Sequence, residues 1–154
     1  MTRWLVTGGA GYIGAHVTAA MLASGRDVTV LDDLSSGHRA FVPAAARLHV
    51  GSILDRDALD AALAGVDGVV HLAGYKYAGE SVARPLHTWR QNVAGTIEVL
   101  DAMRERSVEN MVFSSSAGVY GTPDVERVTE ATPPGCAPSS TGRPSGPWHC
   151  VTST

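Results

Sequence analysis

Lysine is nearly missing from this chain: eleven of its twelve basic residues are arginine, and Lys76 is the exception. The arginines are dispersed and the net charge is −3, so no nucleic-acid or membrane-surface partner is expected. Cysteine is scarce as well. Cys136 and Cys150 lack the partner spacing of a thiolate metal site and read as free thiols, which points to the cytoplasm. No apolar run approaches the length of a membrane span. The chain opens into a strand directly after Met1-Thr2-Arg3, so no signal peptide is expected. None of the six histidines pairs with another on one helix face, and no metal site is expected. The serines have no Gly-x-Ser-x-Gly turn around them, which argues against a hydrolase nucleophile.

What the chain has instead is glycine in a particular place. Leu5-Val6-Thr7-Gly8-Gly9-Ala10-Gly11-Tyr12-Ile13-Gly14 is a short apolar run, then glycines at 8, 11 and 14, then a helical pattern. Glycine between a strand and a helix lets backbone N–H groups approach a bound group, and the helix N-terminus adds unpaired donors suited to phosphate. An acid about twenty residues on, at Asp32, completes the dinucleotide-binding context. The alternative is a tight turn with no ligand. Hydrophobic content of 44% and charged content of 18% are ordinary for one soluble domain of 154 residues.

Along the chain, strands are expected at Trp4 to Thr7, Asp27 to Leu31, Arg47 to Val50, Gly68 to Leu72 and Asn110 to Ser114. Helices are expected at Tyr12 to Ala23 (Ile13, Val17, Ala20 and Met21 on one face) and at Asp55 to Leu63 (Leu59, Ala62 and Leu63 inward). A third runs from Pro85 to about Arg106, where Leu86, Trp89, Val93, Ile97, Leu100 and Met103 recur at helical spacing. A loop with Tyr75, Lys76, Tyr77 and Gly79 lies before it. Short apolar strands alternating with helices predict an α/β fold, a doubly wound parallel sheet of Rossmann type, incomplete at its C-terminal end. The pattern stops after Glu130. Residues 1–130 are therefore read as the nucleotide-binding domain. Residues 131–154, with five prolines and Arg143 as their one charge, are read as a disordered or non-native tail.

Ligands of such sheets sit beyond the carboxyl ends of the strands, which selects the candidate residues. A carboxylate at Asp32 can accept from ribose hydroxyls and repel a 2′-phosphate, favouring NAD over NADP, with Asp33 reinforcing it; alternatively the pair only begins a turn. Lys76 could meet a pyrophosphate or ribose, or be a solvated loop charge. Asn92, a mediocre helix former, serves the neighbouring loop, the cofactor or a structural buttress. A hydroxyl among Ser114, Ser115 and Ser116 can donate to a substrate oxygen whose charge changes during hydride transfer. His71 reads as a packed core or edge residue.

These residues resemble a known family. The glycine loop is similar to that of extended short-chain dehydrogenases/reductases. The runs Leu31-Asp32-Asp33-Leu34-Ser35, His71-Leu72-Ala73-Gly74-Tyr75-Lys76, Gly79-Glu80-Ser81-Val82, Asn92-Val93-Ala94-Gly95-Thr96 and Phe113 to Gly121 narrow the resemblance to the N-terminal part of the UDP-glucose 4-epimerases, over roughly residues 3 to 134. The resemblance implies tightly held NAD, and an isomerase of galactose metabolism that removes a hydride from C4 of a UDP-hexose and returns it to the opposite face. By position, Gly8, Gly11, Tyr12, Ile13 and Gly14 would hold the pyrophosphate, and Asp32 and Asp33 the adenosine ribose. Ser52 and Ile53 would flank adenine. Leu72, Ala73, Gly74, Lys76 and Asn92 would line the rest, and Ser116 would be the catalytic serine on the sugar hydroxyl. A family-type homodimer is also implied.

Two departures stand out. Ser52 replaces the family's usual aspartate at adenine. The family's Tyr-x-x-x-Lys pair is absent: the tyrosines at 12, 75, 77 and 120 are followed four residues on by His16, Gly79, Ser81 and Asp124. The abrupt change near Gly135 reads as a frame-shifted or truncated product, or one half of a split gene, expected to be inactive as it stands. Two other readings are a nucleotide-sugar dehydratase of the same superfamily and a non-catalytic NAD-binding fragment. The dehydratase would need a Thr and acidic residues near Ser116, where Ala117-Gly118 stand.

Overall fold

In the computed structural model, residues 2–75, 78–121 and 125–133 are described. The chain divides into two compact units, one ending at Ser114 and one starting at Ser115.

The first unit is built on five parallel strands in the order β3-β2-β1-β4-β5: β1 Arg3–Thr7, β2 Asp27–Asp32, β3 Arg47–Val50, β4 Gly68–His71 and β5 Asn110–Phe113. The apolar runs of β1, β2 and β4 suit strands buried on both faces, β3 and β5 are more exposed edges, and each strand starts and ends within a residue of its expected place. Side chains alternate across the sheet. Leu5, Leu31 and Val69 join Leu59, Leu63, Val99 and Met103 on one side. Val6, Val30 and Val70 meet the partly buried Val17, Met21 and Leu22 on the other. Each buried leucine contributes about 2–3 kcal/mol by leaving water. The doubly wound architecture is present, with helices covering both faces.

Helix α1, Tyr12–Ala23, covers one face; α2, Arg56–Ala62, and α5, Gly95–Glu105, cover the other. Asp55 caps α2 by accepting from the Asp57 and Ala58 amides. Arg56 bridges Asp60 and Glu105, and Arg106 reaches Asp60 at 3.2 Å, tying α2 to the end of α5. Among the described residues no helix is long and apolar enough to cross a membrane.

Three expectations need correction. The segment around Gly79 is helical, as α3, Ala78–Ala83. The long third helix is α4, Pro85–Trp89, then a π-turn, Arg90–Ala94, then α5. One helix face differs in part: Val17 and Met21 of α1 pack on the sheet as expected, but Ile13 does not. In α1 the buried residues are Gly14 and Thr18, while Ile13 is 61% exposed. In the α4–α5 run Leu86, Trp89, Val93, Ile97 and Leu100 are exposed, and Gly95, Val99, Ala102 and Met103 face the sheet. Small residues turn inward because α1 must lie close to the strand that feeds it.

In the second unit, Ala117–Tyr120 forms a 3-10 turn in which the Val119 amide donates to the Ser116 carbonyl at 3.0 Å. Thr129 and Thr132 close a further turn. The tail from Pro134 on, with both cysteines, lies outside the described residues.

Glycine is obligatory at position 14, where a Cβ would fall 2.1 Å from the Gly8 carbonyl oxygen. Gly14→Ala is expected to cost about 2–3 kcal/mol through overpacking. Gly79→Ala, in open space on α3, is expected to be neutral or slightly stabilising. Urea unfolding of the two variants checks the contrast.

Candidate cofactor site

Parallel strands leave a crevice where the chain crosses from one side of the first strand to the other. Here that point is the carboxyl end of β1, between β2 and β4. A cavity of about 380 Å³ opens there. Gly8, with φ +72°, turns the chain out of β1 in a conformation that L side chains rarely adopt, and a Cβ on it would meet the Ala73 amide at 2.7 Å. Gly11 starts α1 with no side-chain cap, so the first amides of a twelve-residue helix face the cavity end with their partial positive charge.

Asp32 anchors this turn. It is 8% exposed; one carboxylate oxygen accepts from the Ala10 amide at 2.9 Å and the other from the Leu34 amide at 2.8 Å. Asp33 accepts from the Ser35 amide at 2.9 Å. The two acids thus do make turns, and both also line the cavity. Each carboxylate oxygen keeps a lone pair for a further donor.

Of the residues singled out in the sequence, Gly8, Gly11, Ile13, Gly14, Asp32, Asp33, Ser52, Ile53, Leu72, Ala73 and Gly74 come together on the cavity wall. The Ser52 hydroxyl accepts from the Leu54 amide at 3.1 Å, and Ile53 is packed beneath α5, against Gly95. Tyr12 is 73% exposed with its ring against His16 and is not part of the cavity wall. Asn92 stands one step behind the wall. Its side-chain oxygen accepts from the Tyr75 amide at 2.6 Å and its amide donates to the Tyr75 carbonyl at 3.0 Å. It therefore serves the neighbouring loop. Lys76 lies outside the described residues, and Ser116 belongs to the second unit.

The sequence reading missed Ser35, Ser36, His87 and Gln91 on the wall. His87 and Gln91 are four residues apart in a helical run, a polar pair on the face opposite the apolar stripe, and that spacing was there to be read.

His71 is 2% exposed at the end of β4. Its Nδ1 lies 2.7 Å from the Thr7 hydroxyl, its Nε2 lies 3.1 Å from the Thr96 hydroxyl, and its ring stacks on Phe113. Burial pushes the imidazole down from its usual 6.5 to about 4.

The backbone donors, the acidic pair and the hydrophobic strand ends suit a phosphate-linked dinucleotide whose ribose hydroxyls need acceptors. A family model described as the NAD dependent epimerase/dehydratase family matches residues 4–141. The UDP-glucose 4-epimerase of Corynebacterium glutamicum is 47% identical over 133 residues, covering 85% of this chain and 40% of that protein. Among solved structures, the UDP-glucose 4-epimerase of Thermus thermophilus in complex with NAD superposes with a TM-score of 0.79 at 36% identity. It covers 88% of this chain and 45% of its own. That of Bifidobacterium longum, in complex with NAD+ and UDP, gives 0.78 at 35%, covering 87% and 43%. The chain thus spans about two fifths of the length of the curated relatives it matches.

The buried imidazole makes stability pH-dependent. Between about pH 6.5 and 4 the unfolded chain holds the proton and the folded chain does not. The contribution is therefore fully present above pH 6.5 and is lost as pH falls through 4, by about 2 kcal/mol between pH 7 and 5. Urea midpoints across that range should fall in the natural chain and flatten in His71→Asn.

Proposed function

Because the chain belongs to the NAD dependent epimerase/dehydratase family, we propose that it carries the cofactor half of an NAD-dependent UDP-glucose/UDP-galactose 4-epimerase. The observation that carries this reading is the cleft at the β1 carboxyl end, where the glycine turn, Asp32 and Asp33, and the ends of β3 and β4 meet. The NAD and UDP held by solved relatives support the cofactor and substrate class.

In this proposal residues 1–130 form the NAD-binding part. When bound, NAD supplies a hydride acceptor and donor for C4 of the sugar. The backbone of Gly8, Gly11, Tyr12, Ile13 and Gly14 holds the pyrophosphate at the start of α1. Asp32 and Asp33 accept from the adenosine ribose and repel a 2′-phosphate. Ser52 and Ile53 flank the adenine. Leu72, Ala73, Gly74 and Lys76 line the nicotinamide half, with Asn92 fixing the loop between them. Ser116 donates to the oxygen of the sugar hydroxyl being oxidised. A Tyr-x-x-x-Lys pair, the family's base, does not occur in these 154 residues. A polypeptide of this sequence therefore binds the cofactor without turning substrate over. The thiol pattern of the sequence supports a cytoplasmic location.

The proposal includes a family-type homodimer. Leu86, Trp89, Val93, Ile97 and Leu100 are 84%, 46%, 39%, 52% and 47% exposed along α4, the π-turn and α5. Three to four residues separate successive members, the spacing of a seam between helices.

Titration calorimetry tests the cofactor reading: NAD should bind, NADP should bind at least about tenfold more weakly, and Asp32→Asn should weaken NAD about tenfold or more. A coupled UDP-galactose assay on the 154-residue chain should show negligible turnover, and substantial activity would refute that part. For the dimer, sedimentation at micromolar concentration should show a two-chain species that Ile97→Glu converts to monomer.

A further inference from the structure

The polar groups behind the cavity wall form one continuous thread, and their donors and acceptors can be assigned. The Thr96 hydroxyl donates to the Asn92 carbonyl at 2.6 Å, so its proton is committed. His71 Nε2, 3.1 Å from the same oxygen, must then be the donor to it. A neutral imidazole with its proton on Nε2 has a bare Nδ1, which accepts from the Thr7 hydroxyl at 2.7 Å. That leaves the Thr7 oxygen facing the Leu72 and Ala73 amides, each donating to it at 3.3 Å. The Leu72 amide is shared with the Thr7 carbonyl, 3.1 Å away, while the hydroxyl and ring protons of the thread run in one direction.

Both ends of the thread reach the cavity. Leu72 and Ala73 form its β4 wall, and Ala73 packs against Gly8 of the glycine turn. At the other end Asn92, inside the π-turn, grips the Tyr75 backbone with both atoms of its amide. A π-turn interrupts the regular helix ladder, and the Thr96 hydroxyl supplies a bond to a carbonyl there.

We propose that His71, as its Nε2–H tautomer, is a positioning residue that sets the β4 wall and the Tyr75 loop of the dinucleotide cleft through Thr7 and Thr96. The inference rests on the cofactor reading above for its ligand, and on hydrogen-bond geometry for its direction. Burial of the ring, which opposes protonation, keeps the tautomer neutral at pH 7.

Two measurements test it on the 154-residue chain. Nitrogen-15 NMR at pH 7 should show His71 protonated at Nε2 and bare at Nδ1; a proton on Nδ1 overturns the assignment. Thr96→Val removes the hydroxyl at nearly constant volume, and Thr96→Ser keeps it. With both variants folded by circular dichroism, Thr96→Val should speed amide exchange at Tyr75 about tenfold over the amides of β1 and weaken NAD about fivefold or more. Thr96→Ser should restore both to within about twofold. If Thr96→Val leaves Tyr75 exchange unchanged, the positioning role is overturned. If exchange responds but the natural chain does not bind NAD, the cofactor reading fails and the positioning of the loop stands.

Discussion

The close approach of β1 to the start of α1 governs what this fold can build, because the helix must begin where the strand ends and leave its first amides uncovered. Gly14 places α1 against the carbonyl of Gly8, and Gly8 in turn lies against the Ala73 amide. Side chains at either point would push the helix from the sheet or the turn from β4. Asp32 holds the turn from the other side by accepting from the Ala10 amide. One contact region therefore fixes three things: the packing of α1, the opening between β1 and β4, and the direction in which backbone donors point. Binding chemistry at this site is a consequence of packing that the fold needs anyway.

Much of this was legible in the sequence. A strand buried on both faces reads as an apolar run, so β1, β2 and β4 stood out, the edge strands β3 and β5 gave a weaker signal, and the residues just after the strands delimited the site. Where the reading slipped, it did so for physical reasons. Counting apolar residues grouped Ile13 with Val17 and Met21 of α1, but only the latter two pack on the sheet, where Gly14 and Thr18 lie buried beside them. The stripe from Leu86 to Leu100 recurs at helical spacing, which does not tell which way it faces, and it points to solvent. A π-turn leaves little trace in apolar spacing, so one helix was read where there are two joined by a widened turn. The grip of Asn92 on Tyr75 links positions seventeen residues apart, which no local pattern encodes.

The π-turn explains how one helical run serves two surfaces. Each residue of an α-helix advances the face by about 100°, and a single wider turn shifts everything after it. His87 ahead of the turn and Gln91 within it look onto the cavity; after it Val99, Ala102 and Met103 fill the core beside Leu59 and Leu63. Asn92 and Thr96 fall between, close enough to the sheet for Thr96 to meet His71 and for Asn92 to hold the Tyr75 loop. The outer side is left apolar from Leu86 to Leu100.

A run that is polar toward the cleft and apolar toward solvent inverts the usual amphipathic arrangement. A contiguous apolar stripe of this kind is what the proposed homodimer would cover. The inner side has its own constraint, because the Thr96 hydroxyl gives its proton to the Asn92 carbonyl and leaves its oxygen to accept from the buried imidazole. Any group that pressed on the outer stripe would bear on the same helix whose inner side orders Tyr75. Cleft and stripe are thus two sides of one element, joined by the widened turn that carries Asn92.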